Sequence, residues 1–292
     1  MSYQWSKADQ RVGEGFLRIA REQIGKAAGW AENAGETAEK RVHEARRRCK
    51  KLRALFRLVR PDFADYREAN AFVRDAAREL GALRDTRVLR TTLTDLLARA
   101  GSTTEAWQEP PHHETDAERE ALARFAGRMH ELEELSKSWR LDRISLATLA
   151  KGLRQTYRRG SSTRRTALRH RTDEAFHDWR KFAKYHWNQL GLLEDCAPDI
   201  LPSAHRSAGE LADLLGLHHD LAILSQVLAD DPGSLGIEVD RDLVGTLLDA
   251  RQTELEAQIE ELGRQVFAEK PRALEARFAA YFSGWPMQQA AE

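Results

Sequence analysis

Two stretches of the chain repeat one pattern at an offset of 134 residues: RVHEARRRCKKLRALFRLV (41–59) and AFHDWRKFAKYHWNQLGLL (175–193). In the first, Val42, Ala45, Cys49, Leu52, Phe56 and Val59 recur in steps of three and four. In the second, the same register holds Phe176, Trp179, Ala183, His186, Leu190 and Leu193, with His186 the one polar member. Such steps trace one face of an α-helix, so the chain must bury two matched helices. The match extends on both sides. ELGALRDTRVL (79–89) pairs with LLGLHHDLAIL (214–224), placing Gly81 against Gly216 and Asp85 against Asp220. Upstream, Arg18, Arg21 and Lys26 pair with Lys151, Arg154 and Arg159. Several features in one order, twice, read as a duplicated helical unit.

The expected fold is therefore all-α, built of two pseudo-symmetric helical-bundle repeats, at 8–137 and 143–270, with 271–292 as a C-terminal extension. Alternating strand-type runs are scarce. The periodicity predicts helices near 8–33, 37–60, 65–81, 85–100, 116–137, 143–159, 172–194, 202–215, 220–230, 239–269 and 271–283. GSTTEAWQEPPHHET (101–115) and DDPGSLG (230–236) read as loops. Gly81 and Gly216 look like helix C-caps, and Asp85 and Asp220 like the N-caps that follow them.

The polar faces repeat as well. His43, Arg46, Arg47 and Lys50 become His177, Arg180, Lys181 and Lys184. Offsets of three, four and seven put each set on one side of its helix. Like charges stacked this way repel, and a solvated helix face normally mixes signs. The apolar stripe must offset the repulsion, and the scarcity of acids points to a counter-charge from elsewhere. The upstream residues Arg18, Arg21 and Lys26, with Lys151, Arg154, Arg158 and Arg159, would extend these faces into one groove if each packs beside its own histidine-bearing helix.

The formal net charge is zero, which by itself argues against a polyanionic partner. The distribution reverses that argument. Residues 40–60 hold ten Lys or Arg against Glu44 alone, whereas 105–134 hold nine acids against three arginines. Segregated charge creates local fields that a neutral total conceals.

Other chemistries lack their signatures. No Gly-rich phosphate loop, G-x-S-x-G or H-E-x-x-H occurs, and Glu254 and Glu256 sit in a helical context without the lysine that a tunnel triphosphatase motif needs. His218, His219 and Asp220 suggest a phosphohydrolase metal site, but further His and Asp ligands cannot be assembled around them. His112 and His113 fall in a Pro-rich linker. The two cysteines, Cys49 and Cys196, have no metal or redox spacing, which fits a reducing cytoplasm. The first residues lack the apolar run of a signal peptide, and no stretch approaches a membrane span.

Taken together, His43, Arg46-Arg47 and Lys50, LGALRD at 80–85, His177, Arg180-Lys181 and Lys184, and LGLHHD at 215–220 resemble the CHAD family, named for its histidine-containing α-helical domain. The resemblance covers roughly 10–270. It implies two pseudo-symmetric bundles with a basic surface or pore between them, binding of inorganic polyphosphate, and in some members association with polyphosphate or storage granules. No room exists for a triphosphatase domain beside it, so the chain resembles a standalone member. Two positions depart: Trp187 stands where the first repeat has Arg53, and His219 where it has Arg84.

The expectation is a cytoplasmic binding protein, not an enzyme, needing no cofactor or metal. Its polyphosphate ligand would lie on His43, Arg46, Arg47, Lys50, His177, Arg180, Lys181 and Lys184, with Arg53 and the upstream basic set behind them. A nucleic-acid module is the first alternative. It would want aromatics among the basic residues, and the face of 43–57 has none. A histidine-based, metal-dependent phosphohydrolase is the second.

Overall fold

The computed structural model describes residues 3–6, 8–81, 86–101, 114–231, 235 and 240–285. Within them the protein is all-α, with no strand. In chain order the helices are α1 (Val12–Glu32), α2 (Ala38–Val59), α3 (Tyr66–Gly81), α4 (Thr86–Arg99), α5 (Asp116–Leu135), α6 (Leu146–His170), α7 (Asp173–Leu192), α8 (Leu201–Asp230), α9 (Arg241–Val266) and α10 (Pro271–Ser283).

The ends follow local chemistry. Thr37 and Thr172 cap α2 and α7, their hydroxyls accepting from the amides of Lys40 and Ala175. Thr115 and Ser145 open α5 and α6 with reciprocal capping boxes. Arg171 closes α6 in the left-handed region at φ 48° and is tied to α9 by Glu256 and Glu260.

All twelve positions of the two repeating stripes are buried, His186 included at 3% exposure. Its ring meets Tyr157 edge-on and packs near Phe267, and burial holds its pKa down at about 3. Burying these stripes places α2 and α7 at the centre. Helix α2 touches α1, α3, α6 and α7, while α7 touches α6, α8 and α2. One continuous core runs through both halves. Helix α4 packs on α8 and α9 of the second half, where Arg90 donates to the carbonyl of Leu235. Helix α10 lies on α6 and is held by Arg154–Glu275 at 2.6 Å.

Two expected breaks are absent. The helix expected to stop near 159 continues to His170, and a β-carbon at Gly160 would strike the Phe267 ring. The helices expected at 202–215 and 220–230 are one, α8. Gly216 and Asp220 lie inside it, so neither is a cap. Gly81 does end α3. Asp85 lies outside the described residues.

Candidate functional site

The apolar stripes point the basic faces of α2 and α7 away from the core, and the packing of the two helices turns those faces toward each other. Arg46 and Lys50 come from α2, Arg180 and Lys184 from α7. Dense surroundings, then the charges of Arg180, Arg46 and Lys184, pull the Lys50 ammonium down to about 8, with Asp220 opposing. Lys50 still meets water, so repulsion among the four cations is the firmer of these causes. Burial likewise lowers the Arg180 pKa, opposed by Asp220 and Asp213 and assisted by Arg46. Its Nε is buried without a hydrogen-bond partner among the described residues.

The two arginines occupy matching niches. A β-carbon built at Gly81 would lie 3.7 Å from the Arg46 guanidinium, and one at Gly216 would lie 3.7 Å from Arg180 Nε. The guanidinium groups thus lie beside α3 and α8, at ordinary contact distance from a methyl added at either glycine.

Histidines edge the same crevice. His177 and His219 approach Nδ1 to Nδ1 at 3.2 Å, with ring centroids 4.3 Å apart. Burial, then Lys181 and Arg180, lowers the His177 pKa, which Asp178 opposes. Burial, then His177, Arg180, His218 and Lys50, takes His219 down to about 4. Both rings are therefore neutral at pH 7, and one N–H joins them. His43 is exposed.

Not all of the counter-charge is external, as the sequence pattern had implied. Arg47 pairs with Glu44 at 2.8 Å, Lys181 with Asp178 at 2.5 Å and Lys184 with Asp213 at 3.2 Å. Asp213 is 76% exposed, so its pair is weakened by water. Arg46, Lys50 and Arg180 draw no ion pair among the described residues, although Asp220 and Asp213 lie within electrostatic reach.

The upstream set does not join this crevice as a unit. Arg18 is held by Asp9 in a two-pronged pair at 2.7 Å, Arg21 donates to Ser136 Oγ, Lys26 pairs with Glu22, and Arg154 with Glu275. Lys151 and Arg158 are exposed. Lys26 instead faces another side of α2. There burial, then Arg48, Arg47 and Lys26, brings Lys51 down to about 8 beneath the Tyr3 ring. Arg159 reaches a separate cleft with Arg57 and Arg60. Arg53 donates to Asn70 Oδ1.

The sequence reading missed the aromatics. None lies on the basic face of α2 itself, but α7 supplies Tyr185, whose ring centroid is 4.5 Å from the Arg57 guanidinium and 5.9 Å from that of Arg53. Position 219 was visible as a departure from the repeat and as part of the His218–His219–Asp220 run. Its approach to His177 spans 42 residues and left no local signal.

Among the described residues no three His, Cys, Asp or Glu side chains gather as a metal site requires. His218 is buried against Phe176, near Glu256. His112 and His113 lie outside the described residues. No described helix is long and apolar enough to cross a membrane. A family model described as CHAD domain matches residues 18–229. No curated protein and no solved structure matches the chain.

Proposed function

The chain belongs to the CHAD domain family, and from that premise we propose that the α2–α7 crevice binds inorganic polyphosphate without transforming it. The observation that carries this reading is the meeting of Arg46, Lys50, Arg180 and Lys184, close enough that the other three charges disfavour protonation of Lys50 and that Arg46 disfavours the charge on Arg180. Folding such a cluster costs free energy unless a polyanion supplies the missing charge. Guanidinium and ammonium groups donate charge-assisted hydrogen bonds to phosphate oxygens. Counterions released from the polyanion add an entropic gain that weakens with salt. Many equivalent contacts favour long chains over orthophosphate, because each further site is met at high effective concentration. The same binding would let the protein ride on polyphosphate granules in the cytoplasm.

One observation favours a second reading. Tyr185 beside Arg53 and Arg57 offers a platform on which bases of single-stranded nucleic acid could stack. Competition at fixed salt decides between them. We expect unlabelled long-chain polyphosphate to displace a labelled polyphosphate at concentrations where single-stranded RNA of equal charge does not. Charge reversal of Arg46, Lys50, Arg180 and Lys184 to Glu should abolish binding while circular dichroism stays helical. Preferential displacement by RNA, or unchanged affinity of the variant, would refute the proposal.

A further inference from the structure

The basic stripe of α2 does not stop at the crevice. Arg46, Lys50, Arg53, Arg57 and Arg60 follow one another in steps of four, three, four and three, one side of a helix over about 21 Å at 1.5 Å per residue. At its far end lies a cleft of about 370 Å³ lined by Arg57, Arg60, Gln155, Thr156, Arg159 and Phe182. Three arginines from two helices line it, and no acid does. None of the three draws an ion pair among the described residues.

An aromatic ring holds two of these cations in place instead. The guanidinium carbons of Arg57 and Arg159 lie 5.7 and 5.9 Å from the Phe182 ring centroid. Ring faces attract guanidinium groups without spending their hydrogen-bond donors. Arg57 Nε is buried and unpartnered among the described residues. That atom is closed off from the cleft, so an acceptor there would meet the terminal guanidinium donors of the three arginines.

We propose that this cleft is a second anion subsite, which takes phosphoryl groups of the same polyphosphate chain that occupies the α2–α7 crevice. The inference rests on the reading above and adds a mechanism for selecting length. A chain long enough to follow the α2 stripe engages both subsites, and the second engagement is intramolecular. A short oligophosphate fills only one. Continuity of the stripe is what ties the cleft to that chain and not to an independent small phosphate.

The test is a length series, from tripolyphosphate to chains of many tens of phosphates, titrated at fixed salt into four full-length proteins: wild type, the cleft variant Arg57→Gln/Arg60→Gln/Arg159→Gln, the exposed single substitution Gln155→Glu, and the crevice variant Lys50→Gln/Arg180→Gln. Gln155→Glu removes no packing, so it reads the cleft even where the triple variant folds poorly. Both cleft variants should bind long chains roughly 10-fold to 100-fold more weakly and tripolyphosphate as wild type does, flattening the dependence on length. The crevice variant should lose affinity at every length. Long-chain affinity unchanged in both cleft variants would overturn the second subsite and leave the crevice standing. Loss of tripolyphosphate binding in the cleft variants would overturn the division into two subsites. A wild type that binds no length would overturn this inference and the proposed function together.

Discussion

At the scale of single residues, burial and charge set the protonation states on which stability and binding depend. His186 is the simplest case. An unfolded chain protonates this ring below pH 6.5, whereas the folded protein keeps it neutral down to about 3. Between those values the unfolded state binds more protons, so stability falls as pH falls through that window. Replacing His186 with Leu should flatten the acid limb, by on the order of a few kcal/mol between pH 6 and 4, as read by urea denaturation. His177 and His219 carry the corresponding prediction for binding. Their pKa values are lowered in the free protein, and a neighbouring polyphosphate favours the protonated form. The complex therefore takes up protons, and affinity should rise as pH drops from 7 toward 4. His219→Ala should make that rise shallower. An affinity independent of pH over this range would show that the pair does not face the ligand.

At the scale of elements, close helix crossings depend on glycines that the sequence presents ambiguously. A β-carbon at Gly152 would collide with the Leu58 carbonyl where α6 crosses α2, whereas one at Gly25 would meet nothing within 4 Å. Gly152→Ala should thus lower the thermal midpoint, at a cost of about 1–3 kcal/mol. Gly25→Ala, on an exposed stretch of α1, should raise stability by roughly 0.5–1 kcal/mol. The same ambiguity marks what could be read from the chain. Both stripes and the basic faces beside them follow from spacing alone. The continuity of α8 through Gly216 does not, because a glycine inside a helix and one that ends it look alike in sequence. Nor does the pairing of Arg18 with Asp9 or Arg154 with Glu275. The helices that carry these basic residues were expected, but the acids that hold them arrive from other segments. Phe182 and Tyr185 belong to α7 yet serve the arginines of α2, a relation that only the α2–α7 crossing creates.

At the scale of the whole molecule, a zero net charge coexists with a concentrated cationic crevice because the acids are used elsewhere. Glu22, Glu256, Glu260, Glu269 and Glu275 pair with basic side chains on other parts of the structure. Arg46, Lys50 and Arg180 are left facing one another across two central helices, and a proposed polyphosphate ligand completes that balance. The most direct measurement is the salt dependence of long-chain polyphosphate binding, compared between wild type and the neutralised Arg46→Gln/Lys50→Gln/Arg180→Gln/Lys184→Gln protein. Wild type should show a steep linear fall of log K with log salt. Residual binding by the variant should show a slope smaller by about four, one for each cation removed. Equal slopes in the two proteins would contradict the assignment of the ligand to this crevice.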